Sequence, residues 1–169
     1  ARGRETLKTR PAVAGGLPYA TRYRNFDALG RAGIKSIDRS SGNPIDIAYR
    51  YVGLDKFIRL PGVTNELVRG YDSQQRMVRS TDALGAVTTY QYDASGQLSA
   101  LIDSSNNAIR ANYDALGRRL TISHPDGGTR TTTYDGLGLA RTETDARNQR
   151  VNTTYDVLDR PIARGLGLR

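Results

Sequence analysis

Apolar and polar positions alternate with a period of two over short runs. Ile109, Ala111 and Tyr113 alternate with Arg110 and Asn112, and Thr88, Tyr90 and Tyr92 with Thr89 and Gln91. Leu120 and Ile122 alternate in the same way with Thr121 and Ser123. Period two together with β-branched and aromatic residues predicts strands that bury one face. Each run holds about six or seven residues, roughly 20 Å of strand. Short connections force neighbouring strands to pair antiparallel, so the expected fold class is all-β, an antiparallel meander.

The alternation repeats at a longer period. An aromatic residue followed by Asp recurs as Tyr71-Asp72, Tyr92-Asp93, Tyr113-Asp114, Tyr134-Asp135 and Tyr155-Asp156, at four successive steps of 21 residues. Phe26-Asp27 opens the series and Tyr51 marks a degenerate copy. Equal steps of this kind are the mark of a repeat architecture. The fourth residue after the aromatic is Gly30, Gln75, Gly96, Gly117, Gly138 or Asp159.

Halfway through each unit lies a second turn signal. Asp82-Ala83-Leu84-Gly85, Asp103-Ser104-Ser105-Asn106 and Asp145-Ala146-Arg147-Asn148 each begin eleven residues after the leading Tyr. Pro125-Asp126-Gly127-Gly128 takes this place in the Tyr113 unit, and residues 38–42 take it in the first. Asp at the first position caps such a turn through its carboxylate, and Gly or Asn at the fourth tolerates positive φ. The combination predicts a type I turn closed by a left-handed residue and a bulge. Arg after the turn Gly can pair with the turn Asp. Each unit is therefore one up-and-down pair of strands.

One Tyr per two strands at the same height places successive rings about 9.5 Å apart. Such a ladder can bury ring area between repeats while each hydroxyl finds a partner. The alternative is a platform on which sugars or bases stack.

Composition agrees with many short strands: 18 Gly, 10 Tyr, no Trp, and 37% hydrophobic residues in 169. The absence of Cys excludes disulfide frameworks and thiolate metal sites. No apolar run approaches the roughly 18 residues of a membrane helix. The chain opens Ala-Arg-Gly without Met or a signal-peptide core, which points to a fragment. The net charge of +8 is uneven: residues 1–35 hold eight basic and two acidic residues, the remainder seventeen and fifteen. Arg2, Arg4, Lys8 and Arg10 in this basic leader are candidate polyanion contacts.

Catalytic chemistry finds little support. The single histidine, His124, precedes Pro125-Asp126-Gly127 and is expected as an exposed loop residue. One His also excludes the common multi-His metal centres. Asp recurs at turn starts, where it caps, and the three glutamates Glu5, Glu66 and Glu143 are scattered. Gly136-Leu137-Gly138 lacks the Lys and helix of a phosphate loop. Calcium-loop spacings are missing too. No catalytic, cofactor or metal residue is assigned, and a non-enzymatic role is expected. Polyanion binding is the main competitor, since 22 of the 25 basic residues are Arg. Such a basic, aromatic-bearing sheet could take single-stranded nucleic acid or an acidic glycan, with no specific nucleic acid expected, yet Asp balances Arg in each repeat, which weighs against either.

Tyr113-Asp114-Ala115-Leu116-Gly117-Arg118, with Asp145 and Asn148 ahead of Tyr155, resembles the RHS or YD repeat. That family includes bacterial polymorphic-toxin shells, the B and C components of insecticidal toxin complexes, and teneurins. The resemblance covers about Phe26 to Arg164 and is weak around Tyr51 and Pro61-Gly62. With the charge pattern, its extent divides the chain into a basic, partly extended leader over 1–25, a repeat sheet over 26–164 and a tail over 165–169. The resemblance implies a strip of a spiralling, hollow shell around a toxic polypeptide, bacterial and secreted or on the cell surface. The partners implied are the rest of the shell and the enclosed toxin, with self-association through open sheet edges. The structural repeat residues are then Phe26, Tyr51, Tyr71, Tyr92, Tyr113, Tyr134 and Tyr155; Asp72, Asp93, Asp114, Asp135 and Asp156; and Gly96, Gly117 and Gly138. The alternative expectation is a surface adhesion module for acidic glycans. The family's Asp-rich self-cleavage motif is missing, so no cleavage activity is carried over.

Overall fold

The computed structural model describes residues 6–9, 20–38 and 43–166, and every regular element among them is a β-strand. The chain divides into two compact units, Ala1–Val87 and Thr88–Arg169. The first contains β1 (Thr6–Thr9), β2 (Ala20–Phe26), β3 (Ala32–Ile37), β4 (Ile45–Val52), β5 (Asp55–Arg59), β6 (Leu67–Tyr71) and β7 (Met77–Thr81). The second contains β8 (Val87–Tyr92), β9 (Leu98–Ile102), β10 (Ala108–Tyr113), β11 (Arg119–His124), β12 (Gly128–Tyr134), β13 (Ala140–Thr144), β14 (Arg150–Tyr155) and β15 (Pro161–Leu166).

Within each unit the strands lie side by side in chain order and pair antiparallel, an open meander. Two strands, β1 and β2, fall within the segment expected as a leader, paired from Thr6↔Tyr23 to Thr9↔Ala20. The end strand β15 extends to Leu166 and is exposed along its whole length. The turn expected at residues 38–42 lies mostly outside the described residues. His124 is the last residue of β11, opposite Gly128, and is exposed.

Alternation becomes two unlike faces. In β4, Ile45, Ile47, Tyr49 and Tyr51 are half-buried while Asp46, Ala48, Arg50 and Val52 are exposed. The opposite face of the first unit carries ion pairs across strands: Arg24 with Asp46, Arg50 with Glu66 at 2.8 Å, and Arg79 with Asp55 at 2.9 Å. In the second unit that role passes to hydroxyls, with Thr133 and Thr142 at 2.6 Å and Asn112 donating to Thr121 at 3.0 Å. Such cross-strand pairs are the unit of sheet stability.

The buried apolar side chains among the described residues are small ones, Ala20, Ala100 and Ala111, and no large side chain is fully buried. A one-layer sheet has no second layer to close over its apolar face, so large rings and aliphatics stay half-covered by their neighbours.

A register slip precedes the repeat Tyr. Asn112 pairs with Thr121 but Tyr113 with Arg119, skipping Leu120. The same slip skips Val78, Ser99, Arg141 and Ile162 opposite Tyr71, Tyr92, Tyr134 and Tyr155. A bulge of this kind adds twist and re-aims the skipped side chain.

Candidate functional site

The repeated element is the Tyr-Asp turn, and its geometry is the same wherever it recurs. In the Asp114 turn the backbone N–H of Gly117 donates to the Asp114 carbonyl at 3.0 Å, and the Asp114 N–H donates to the Arg118 carbonyl at 2.9 Å. One carboxylate oxygen of Asp114 accepts from the N–H groups of Leu116 at 3.0 Å and Arg118 at 2.9 Å. The other takes Arg118 Nε at 2.6 Å. Asp27, Asp72, Asp93, Asp135 and Asp156 accept the same two backbone donors. So do the mid-unit Asp82, Asp103 and Asp145.

The fourth turn residue takes positive φ: Gly96 at 83°, Gly117 at 81° and Gly138 at 86°. Gln75 and Asp159 are held there too, at 62° and 60°, although L side chains disfavour it. Hairpin closure overrides the residue preference at both sites.

The Arg that follows pairs with the turn Asp in the Asp27, Asp72, Asp114 and Asp156 turns, at 2.6–2.8 Å. Leu139 occupies that position in the Asp135 turn. There Arg141, the residue skipped at the bulge, supplies the guanidinium at 2.7 Å. Sequence spacing gives no hint of this substitution, because the bulge decides where Arg141 points.

These contacts hold six carboxyls below the ordinary Asp value of 3.8. For Asp27, Asp72, Asp114 and Asp135 the chief cause is the turn N–H at the fifth position, aided by the guanidinium. For Asp103 and Asp156 it is the side chain of Asn107 and of Arg160. A carboxyl with a lowered folded value contributes stability above its unfolded value and loses that contribution as pH falls through the folded one. Thermal melts followed by circular dichroism should therefore show a flat Tm above about pH 5 and a steep fall below about pH 4. A Tm that held from pH 7 to pH 2 would show that the turn carboxylates do not matter.

The Tyr rings link one repeat to the next. The hydroxyls of Tyr113, Tyr134 and Tyr155 donate to the carbonyls of Leu98, Arg119 and Ala140, each fifteen residues earlier, at 3.0–3.1 Å. Tyr51 reaches the Ala32 carbonyl at 3.4 Å. Guanidinium groups lie over the rings: Arg31 over Tyr51 at 4.2 Å, Arg118 over Tyr134 at 4.9 Å and Arg141 over Tyr155 at 5.1 Å. Arg118 also donates to the Asp135 carbonyl at 3.1 Å. One Arg thus neutralises its own turn Asp, stacks on the next Tyr and ties down the next turn, a charge-assisted and cation–π clamp.

Phe26 ends β2 opposite Ala32, and Tyr71 and Tyr92 end β6 and β8. Of the four candidate polyanion contacts, Lys8 is exposed in β1, and Arg2, Arg4 and Arg10 lie outside the described residues. The third turn position carries exposed leucines, Leu29 at 78%, Leu116 at 77% and Leu137 at 75%. No rule of turn chemistry calls for Leu there. The structure brings together one further group that sequence reading passed over: Lys56, Tyr71 and Gln75 line one open cavity of about 320 Å³ in the first unit.

Residues 71–108 match the family model described as RHS Repeat, so the resemblance read from the Tyr-Asp motif holds over those residues. Curated proteins give no match. Among solved structures, the chain is similar to one of TcdB2-TccC3, with a TM-score of 0.70 and 19% identity over 88% of the chain. A structure of TcdB2-TccC3 without its hypervariable C-terminal region gives 0.69, again with 19% identity over 88%. The Tc holotoxin pore of Photorhabdus luminescens gives 0.68, with 18% identity over 88%. The chain spans 8% of the length of each of those chains. At this identity the likeness is one of fold.

Proposed function

We propose that this chain is a structural segment of an RHS-type shell, one that encloses a toxic polypeptide and serves its delivery outside a bacterial cell. The observation that carries the reading is the clamp from one Tyr-Asp turn to the next, which fixes neighbouring repeats. Its design is that of a wall. Each repeat contacts its neighbours in sequence, as in repeat proteins generally. The uncovered apolar face and the exposed turn leucines call for further protein against them. The structural neighbours are Tc toxin assemblies, which supports the same reading. The role is non-enzymatic, and its partners are the rest of the shell and the enclosed polypeptide.

The test is limited trypsin digestion of the polypeptide in which the strip occurs, with and without residues 88–166. Removing eight strands of wall should render the enclosed segment trypsin-sensitive. If the segment is cut equally fast in both forms, nothing is being enclosed by this strip. The cavity beside Lys56 favours a second reading, surface adhesion through an acidic glycan.

A further inference from the structure

Tyr71 interrupts the ladder. Its hydroxyl finds no carbonyl and no cation lies over its ring among the described residues, whereas Tyr51, Tyr134 and Tyr155 have both contacts. The cause is local. The preceding hairpin closes through the two-residue turn Gly53-Leu54, with Gly53 at φ 57° and Val52 opposite Asp55, instead of an Asp-led turn. No Arg then follows the turn to stack on the next ring, and the residue fifteen positions before Tyr71 is Lys56.

Lys56 is itself anomalous. It is half-buried, with its ammonium 4.3 Å over the Tyr49 ring and 5.8 Å from that of Tyr51. No carboxylate pairs with it among the described residues. Burial, with Lys35 close by, pushes its pKa down. Charged side chains are seldom buried without a partner, because desolvation then goes uncompensated. The carboxylates at the same cavity are already engaged. Asp72 accepts from Arg76 and two turn amides, and Asp55 pairs with Arg79 at 2.9 Å.

Gln75 supplies the third anomaly. It holds the left-handed position that Gly30, Gly96, Gly117 and Gly138 fill in other turns, and it lines the same cavity. Backbone strain of this kind collects at functional sites. Four of the six aromatic-Asp turns use glycine there and the Asp156 turn uses Asp159; here a carboxamide lines the same cavity as an ammonium that has no carboxylate partner and a phenol that has no hydrogen-bond partner among the described residues.

We propose that this cavity is a subsite for one acidic sugar ring. The ligand's carboxylate meets Lys56, its hydroxyls meet the Gln75 amide and the Tyr71 hydroxyl, and its apolar ring face lies on Tyr71. About 320 Å³ is at the small end of ligand cavities and suits one such ring with its water. The site rests on the first unit alone and stands apart from the shell role, which the digestion experiment tests separately. It also moves any glycan contact away from the basic leader and onto the sheet.

Titrate the 169-residue chain with D-glucuronate, D-glucose and acetate, each followed by calorimetry. Saturable glucuronate binding is expected, with glucose at least about tenfold weaker for loss of the charged hydrogen bond to Lys56, and acetate at least about tenfold weaker for loss of the ring and its hydroxyl contacts. Lys56→Gln should weaken glucuronate by a similar factor, and Lys8→Gln should leave it unchanged. Gln75→Gly, which relieves the backbone while removing the amide, should weaken binding in a chain that melts no lower. Absent saturation overturns the proposal, and so does acetate binding as tightly as glucuronate, which would mark an adventitious ion only. Equal affinity for glucose, an undiminished Gln75→Gly variant, or equal losses at Lys8 and Lys56 overturns it as well.

Discussion

Replacing Gly128 by Ala should destabilise the second unit by about 3 kcal/mol, the largest loss expected from adding a single methyl group. Two separate effects combine there. Gly128 sits at φ 66°, where an L residue costs roughly 1–2 kcal/mol. A Cβ would also lie 2.5 Å from the Ala146 Cβ, a contact that no rotamer can relieve. Ala146 belongs to the neighbouring turn of Asp145, so the close approach is that of two successive repeats. The two parts can be separated. In the Gly128→Ala, Ala146→Gly double variant the steric share, about 1–2 kcal/mol, should return while the backbone share remains. Gly127→Ala is the control, since its Cβ would meet only His124 Cβ at 3.5 Å. Urea midpoints of the three variants and the unsubstituted chain decide the matter. A Gly128→Ala chain as stable as the Gly127→Ala chain would mean that adjacent turns are not packed as the structure has them.

Tyr134→Ala should cost about 3 kcal/mol, and Tyr134→Phe about 1 kcal/mol. The phenylalanine variant keeps the ring and loses only the hydroxyl bond to the Arg119 carbonyl, 3.1 Å long. The alanine variant also loses the ring area and the stack with Arg118 at 4.9 Å. Ring and guanidinium should therefore be coupled. A double-mutant cycle between Arg118→Ala and Tyr134→Ala is expected to give about 0.5–1 kcal/mol, measured from urea midpoints. Additive losses would mean that the Arg serves its own Asp114 turn alone. Tyr71→Phe, by comparison, should be close to neutral in stability because that hydroxyl has no hydrogen-bond partner among the described residues.

Most of the repeat was legible because its rules are local. Alternation of Ile109, Ala111 and Tyr113 with Arg110 and Asn112 specifies a strand with one covered face, which is how β10 is arranged. Asp at the head of a turn and Gly or Asn at its fourth position specify the hairpin, since each makes a contact within five residues of itself. The pairing of Arg118 with Asp114 is of the same kind. Even where Gln75 and Asp159 replace Gly, the neighbouring positions suffice to impose the turn.

What lay beyond reading involves contacts fifteen or more residues apart, or a register that no single strand sets. The slip that skips Arg141 depends on how two strands meet, and it converts a lost Arg at Leu139 into a working pair with Asp135. The carbonyls that the Tyr113, Tyr134 and Tyr155 hydroxyls find depend on the twist accumulated across two strands. The missing stack on Tyr71, which no guanidinium covers among the described residues, follows from one shortened turn. Sequence alone therefore determined the strands, the turns and their period, because hydrogen-bonding geometry and φ preference act over a few residues. Only the tertiary structure decided which repeat clamps its neighbour and which leaves a cavity, because that depends on cross-strand register, and a shift of one residue there changes every partner.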